Sequence, residues 1–324
     1  MTKKIASLSL DLDNKWSYMK THGDPGWESF PSYLDIVIPR VLEILKKHDL
    51  TITFFVVGQD AVLEKNHKAL RSITEAGHEV GNHSFHHEPW LHLYSEEDII
   101  KELSAAEEAI TEVTNHRPNG FRGPGFSLSR NVLKVLQQRG YQYACSTFPT
   151  LLAPLARAYY FMTTKLTEEE AEKRKKLFGT FDEGFRPLKP YMWDINGQKL
   201  PEIPVTTMPI FKVPIHVSYI LYAASISPIL AMLYFRIALL LCRLTGVQPS
   251  ILLHPLDFMA LDDAPELGFF PAMRMPLDKK LKVVDRVFSM LKAQYDVVSM
   301  GKHADSLSVN LRAVAPEFKA LEQT

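Results

Sequence analysis

This 324-residue chain is short of several things whose lack narrows its role. Its two cysteines, Cys145 and Cys242, are too few for a disulfide framework and fit a reducing compartment. With 37 basic and 37 acidic residues it has no net charge, so nothing suggests the basic face of a nucleic-acid partner. Met1-Thr2-Lys3-Lys4 is basic, but Asp11 and Asp13 interrupt the apolar run that follows. That run is too short for an export-signal core and reads as a first strand, so the expected location is cytoplasmic. Charge itself is missing from one stretch, between Lys212 and Arg236, where only His216 titrates.

What is present has the composition of an ordinary globular protein, 46% apolar and 23% charged, and enough length for one large α/β domain. Short apolar or β-branched runs (Ile5–Leu12, Thr51–Val57, Glu79–Asn82, Tyr141–Ser146) alternate with helical periodicities over Ile36–His48, Asn66–Ala76, Ser95–Asn115 and Asn131–Arg139. Strand and helix alternating at this pitch predict a parallel sheet or barrel. Asn14–Ser32, rich in Gly, Pro, Trp and Lys, is expected to be a loop over the first strand's end.

Residues 150–200 break the rhythm and read as an insertion. Within it, Leu166–Lys176 reads as a solvated helix, with acids first and bases last as the helix dipole prefers. A strand resumes at Leu200–Val205. The apolar segment 213–244 approaches the ~20 residues of a membrane span. Pro228, the serines, Arg236 and Arg243 interrupt it, which leaves three readings: a spanning helix, a buried core helix, or an interfacial helix or hairpin. A strand at Ser250–Leu253 ends in His254, a helix covers Leu277–Gln294, and a last strand Val297–Met300 precedes a tail at 303–324.

The chain is organised around Gly81-Asn82-His83-Ser84-Phe85-His86-His87-Glu88. His83 and His87, four apart, can aim two imidazoles at one metal from a helical turn or a tight loop. Asp11 and Asp13, two apart at a strand end, face one side. Two acids there are costly unless a cation or donor meets them. Arg122, in the constrained loop Gly120-Phe121-Arg122-Gly123-Pro124-Gly125-Phe126, is placed to orient a carboxylate.

In this order, Asp11-Leu12-Asp13, His83-Ser84-Phe85-His86-His87, Arg122-Gly123-Pro124-Gly125 and Leu252-Leu253-His254 resemble the motifs of the polysaccharide deacetylase family, carbohydrate esterase family 4. The resemblance covers roughly residues 5–147 and 200–302. It implies a catalytic domain over 1–302 with a distorted (β/α) barrel, the insertion and the partly apolar helical segment being additions to it. It also implies that Asp13, His83 and His87 hold a divalent metal, zinc by the resemblance, with His86 as the competing ligand. By the same resemblance Asp11 is the general base, Arg122 its holder, the Gly125 N–H an oxyanion donor and His254 the general acid. Pro124, Phe126, Trp193 and Asp257 are the expected substrate-side residues, with Asp257 orienting His254.

Two departures stand out. The acids are Asp-x-Asp rather than adjacent, a variant of some branches that include a deformylase acting on a lipid-linked sugar. The residue after Gly125 is Phe126 rather than Gly. The implied activity is N-deacylation, acetyl or formyl, of an amino sugar, and the apolar segment adds the expectation that this sugar is lipid-linked at the inner membrane face. A hydrolase of small soluble linear or cyclic amides and a non-catalytic carbohydrate-binding protein are the other classes weighed.

Overall fold

A computed structural model describes residues 3–152, 181–307, 311–316 and 318. The strands are β1 (Lys4–Asp11), β2 (Thr53–Val56), β3 (Glu79–Asn82), β4 (Gly120–Phe121), β5 (Tyr143–Ala144), β6 (Tyr191–Ile195), β7 (Gln198–Glu202), β8 (Ser250–Leu253), β9 (Tyr295–Val298) and β10 (Ala313–Val314). The helices are α1 (Lys15–His22), α2 (Leu34–Lys47), α3 (Gly58–Ala61), α4 (Glu64–Glu75), α5 (Glu96–Thr114), α6 (Arg130–Gln138), α7 (Val217–Ile226), α8 (Pro228–Thr245), α9 (Leu277–Gln294) and α10 (Met300–Asp305).

The strands make one sheet, ordered β10-β6-β7-β5-β4-β3-β2-β1-β8, with β9 also on β1. Every described pairing is parallel except the β6–β7 hairpin. After β7 the chain bonds both ways, Val205 N–H to the Thr147 carbonyl and Thr206 N–H to the Ser250 carbonyl, each at 2.9 Å. That segment joins the β5 side to β8 and closes the sheet into an irregular barrel. β1 is fully buried from Ala6 onward, as expected of a strand covered on both faces.

The structure differs from the sequence expectation in four places. Asn14–Ser32 holds a real helix, α1, because the Asn14 side chain accepts from Lys15 N–H and Gly23 closes it at φ 85°. The hairpin β6–β7, turning at Asn196-Gly197, lies inside what reads as insertion; the charged stretch Leu166–Lys176 lies outside the described residues. The described part of the tail is not peripheral, since β10 extends the sheet beside β6 and Phe318 stacks on Trp193. The apolar segment is two helices, broken at Ser227-Pro228, where Ser227 caps α8 and Pro228 takes its first position.

Candidate active site

The functional side chains sit at the C-terminal ends of parallel strands, where a barrel exposes the first residues past each strand. Asp11 ends β1 and Asp13 lies two residues on. His83 follows β3, its N–H bonded to the Val56 carbonyl at 2.9 Å. Arg122 follows β4 and its N–H bonds the Asn82 carbonyl at 3.0 Å. His254 follows β8, whose Leu253 pairs with Leu10 of β1.

His83 to His87 is a loop rather than a helical turn. Ser84 and His87 adopt φ of 62° and 55°. Glu102 of α5 fixes this shape by accepting from the N–H groups of Phe85 (3.0 Å) and His86 (2.6 Å). The same carboxylate takes the His86 ring N–H at 2.8 Å. His86 is thus turned outward with its side chain 58% exposed, and His87 turns inward instead.

Asp13 Oδ1 lies 2.9 Å from His87 Nε2 and 3.3 Å from His83 Nε2. The three groups together form a set able to hold a metal ion. His83 Nδ1 donates to the Arg122 carbonyl at 2.7 Å, which leaves the Nε2 lone pair facing the centre, the tautomer a metal requires. Burial alone would raise the Asp13 carboxyl, but His87 and His83 outweigh it and hold it well below the usual range. Burial likewise opposes protonation of His83, yet Asp13 draws it upward. A carboxylate and two imidazoles crowded this closely fit a divalent cation by their chemistry.

The second pair is Asp11 with Arg122. Arg122 Nη1 approaches the two Asp11 oxygens at 3.4 and 3.3 Å, and Arg122 is fully buried. Its remaining nitrogens reach Ser9 Oγ and Cys145 Sγ, both at 3.3 Å. Burial would lower this guanidinium, but the Asp11 carboxylate overrides it and keeps it firmly charged. The next turn puts Gly125 at φ 56° and Phe126 at φ 62°. Its hydrogen bonds use the N–H groups of Phe126 and Ser127, and Gly125 is the exposed residue of that turn. Pro124 is buried beneath it.

His254 is held from two sides. Its backbone N–H donates to Asp257 Oδ2 at 2.9 Å, and Ser218 Oγ lies 3.1 Å from its Nδ1 and donates to Asp257 Oδ1 at 2.7 Å. With the Ser218 hydrogen committed to the carboxylate, His254 Nδ1 must be the donor, which leaves Nε2 for chemistry. Asp257 therefore orients His254 through Ser218, the first turn of α7. Phe126 stacks on Phe148 (4.9 Å), Phe148 meets His216 (5.4 Å), and His216 meets both Tyr219 (4.6 Å) and His254 (5.8 Å). This aromatic wall runs from the Gly125 turn to His254. Burial first, then the His254 and Arg122 charges, hold His216 well below its ordinary value, so it is a neutral wall residue.

Trp193 must be corrected. It is fully buried on β6, its indole N–H donates to Glu202 at 2.9 Å, and it packs between Tyr191 and Phe318. It is a core residue, and Asp194 beside it accepts from Gly197 N–H in the hairpin turn. Sequence reading also missed Ser218, His216 and Tyr18. Tyr18 lies near both Asp13 and Asp257, and its phenol is pushed well up by burial first and then by those carboxylates. Nothing in the local sequence marks Ser218 or His216, because Asp257, His254 and Phe148, which they meet, are tens of residues away.

The fold and the strand-end cluster define an α/β barrel with an Asp-His-His metal-type centre beside a carboxylate–arginine pair. Residues 25–144 match the polysaccharide deacetylase family; that match includes His83, His87 and Arg122 and stops short of Asp11, Asp13 and His254. The chain is 37% identical over 105 residues to a peptidoglycan-N-acetylmuramic acid deacetylase of Bacillus subtilis, 32% of this chain and 39% of that one. It is 31% identical over 153 residues to a peptidoglycan deacetylase of Helicobacter pylori, 44% of this chain and 50% of that one. The chain thus spans half or less of these curated relatives. A solved putative polysaccharide deacetylase of Mycobacterium smegmatis shares the fold, with TM-score 0.62 at 21% identity over 94% of this chain and 90% of that one.

Proposed function

We propose that the protein is a metal-dependent N-deacylase that removes an acetyl or formyl group from an amino sugar, with the sugar carried on a lipid. The observation that carries this reading is the juxtaposition of the Asp13-His83-His87 set with the buried Asp11–Arg122 pair at 3.3 Å. A binding protein needs neither an arginine-held carboxylate nor a histidine oriented by Ser218.

Asp13, His83 and His87 would hold the cation, zinc by the donor set, and it supplies a Lewis acid that polarises the acyl oxygen and acidifies water. Asp11, aimed by Arg122, takes the proton of the attacking water. The Gly125 N–H donates to the oxyanion as the acyl carbon becomes tetrahedral. His254, held at Nδ1 by Ser218, passes a proton from Nε2 to the amine as the C–N bond breaks. Pro124 and the Phe126–Phe148–His216 wall keep water from this side of the site. The products are a carboxylate and a free amino sugar.

The lipid part of the reading rests on continuity. The aromatic wall ends at Tyr219, the start of an exposed apolar stripe that continues through Tyr222 and Ile226 and along α8. α8 is long and apolar enough to cross a membrane, yet one face of it is packed in the core. That favours a hairpin lying on a membrane, here the cytoplasmic face, over one spanning it.

Acetate and formate release from N-acylated amino-sugar oligomers and from a membrane lipid extract tests this. Wild type should release acid, most from the lipid fraction, and Asp11→Asn should fall by ~10²–10⁴-fold while keeping its metal. Release from neither substrate would end the deacylase reading. Release from soluble oligomers alone would end the lipid-linked part.

A further inference from the structure

The bend between α7 and α8 meets α9 along a groove of about 850 Å³. From the bend it takes Ala224, Ser225, Pro228 and Met232, and from the facing side Arg274, Lys279, Lys282 and Arg286. All four of these basic residues are exposed. Lys279, Lys282 and Arg286 follow one another at i, i+3 and i+7, so α9 presents them on one face. Among the described residues, only Lys282 of the four has a carboxylate within reach, the exposed Asp278 at 3.3 Å.

The residues next to the groove's apolar wall point to solvent. Ile226, Ile229 and Leu244 are 77%, 81% and 72% exposed, and Leu230, Leu233, Ile237 and Leu240 lie between them. Ile226 ends α7, and on a helix of 3.6 residues per turn the others, all on α8, form one stripe opposite the buried Ala231, Phe235, Ala238 and Cys242. Arg236 and Arg243 fall on the flank between that stripe and Pro228 and Met232. An apolar stripe edged by arginines, beside a groove with four cations, is the pattern of a surface that meets apolar chains and phosphate together.

We infer that this groove binds the phosphate headgroups of anionic phospholipids and thereby seats the α7–α8 hairpin on an acidic bilayer. The inference deepens the membrane-facing part of the proposed function and uses none of its catalytic residues. Charge complementarity selects the occupant. A protein partner or a second copy of this chain would have to cover the apolar stripe and also bring acids to Arg274, Lys279 and Arg286, whereas an acidic membrane does both.

Co-sedimentation with phosphatidylcholine vesicles, with and without phosphatidylglycerol, tests the inference without any turnover. Wild type should bind the acidic vesicles at least ~10-fold better, and binding should weaken as salt rises. Lys279→Glu with Arg286→Glu should lose ~10-fold or more of that binding, with Lys101→Glu on α5 as the neutral control. Ile229→Ser with Leu233→Ser should weaken binding to both vesicle types. Hydrolysis of a soluble N-acetylated oligomer should be unchanged in all of these variants, so a failed deacylase assay and a failed vesicle assay are separate results.

Equal binding to neutral vesicles would overturn the headgroup site. So would loss of vesicle binding at millimolar inorganic phosphate under constant ionic strength, which would mark a free-phosphate site. A wild-type dimer that binds no vesicles would assign the stripe to a second copy.

Discussion

At the scale of single residues, the site divides into groups that meet within a few positions and groups that meet only through the fold. His83 and His87 are in one loop, and Asp11 and Asp13 are at one strand end, so their chemistry was legible from spacing. The choice between His86 and His87 was not, because it depends on Glu102 of α5 drawing His86 outward. Ser218 was invisible for the same reason, since its partners His254 and Asp257 are 36 and 39 residues away. Trp193 was misread because a tryptophan beside an aspartate looks alike in a groove and in a core; burial against Glu202 decides it.

Ser218 gives the sharpest residue-level prediction. Ser218→Ala leaves Asp257 without its hydroxyl donor and His254 Nδ1 without an acceptor, so the ring loses its fixed tautomer. We expect kcat to fall ~10-fold, of the order of one lost hydrogen bond to a charged group, with the alkaline limb of the kcat–pH profile displaced and Ser218→Thr restoring both. A uniform fall with an unchanged profile would reduce Ser218 to a packing role.

At the scale of elements, the parallel strands were readable as short continuous apolar runs and the helices by their 3.6-residue period. α1 was not, because its eight residues carry no apolar periodicity and its helical signal lies in its ends, Asn14 and Gly23. The hairpin β6–β7 was lost beside a charged stretch. The apolar segment could not be resolved from hydropathy, which counts side chains and ignores the partners on the other face.

The loop after β4 is the element whose shape the site depends on most. A Cβ on Gly123 would lie 2.0 Å from the Ser127 carbonyl, so backbone must move to admit it. Gly123→Ala is expected to shift the Gly125 turn while the sheet stays formed. Its circular dichroism should match wild type while kcat/KM falls at least ~10-fold, the effect of a misplaced oxyanion donor. Unchanged kcat/KM would mean that the turn takes no part in the reaction.

At the scale of the whole molecule, closure of the sheet puts α10 against β1, with His303 buried between Ser7 and Gln248. His303 Nδ1 lies 2.8 Å from Ser7 Oγ and its Nε2 3.3 Å from Gln248 Oε1. Burial pushes this imidazole down to about 4, against an ordinary value of about 6.5 when unfolded. Between those values the unfolded chain carries the proton and the folded chain does not. Stability therefore rises with pH across that window and is lost as pH falls through it, by about 3 kcal/mol in all. Between pH 7 and pH 5, urea unfolding should show a loss of stability that is about 2 kcal/mol smaller in His303→Gln than in wild type, the buried His216 contributing to what remains. Equal losses in both would show that another group sets the acid limb.

The central claim concerns the cation that Asp13, His83 and His87 are arranged to hold. Elemental analysis of purified wild type and of His83→Ala with His87→Ala tests it most directly. The account predicts about one divalent metal per chain in wild type, zinc first among candidates, and its loss from a double variant that remains folded. Metal at equal stoichiometry in both proteins, or in neither, would contradict it.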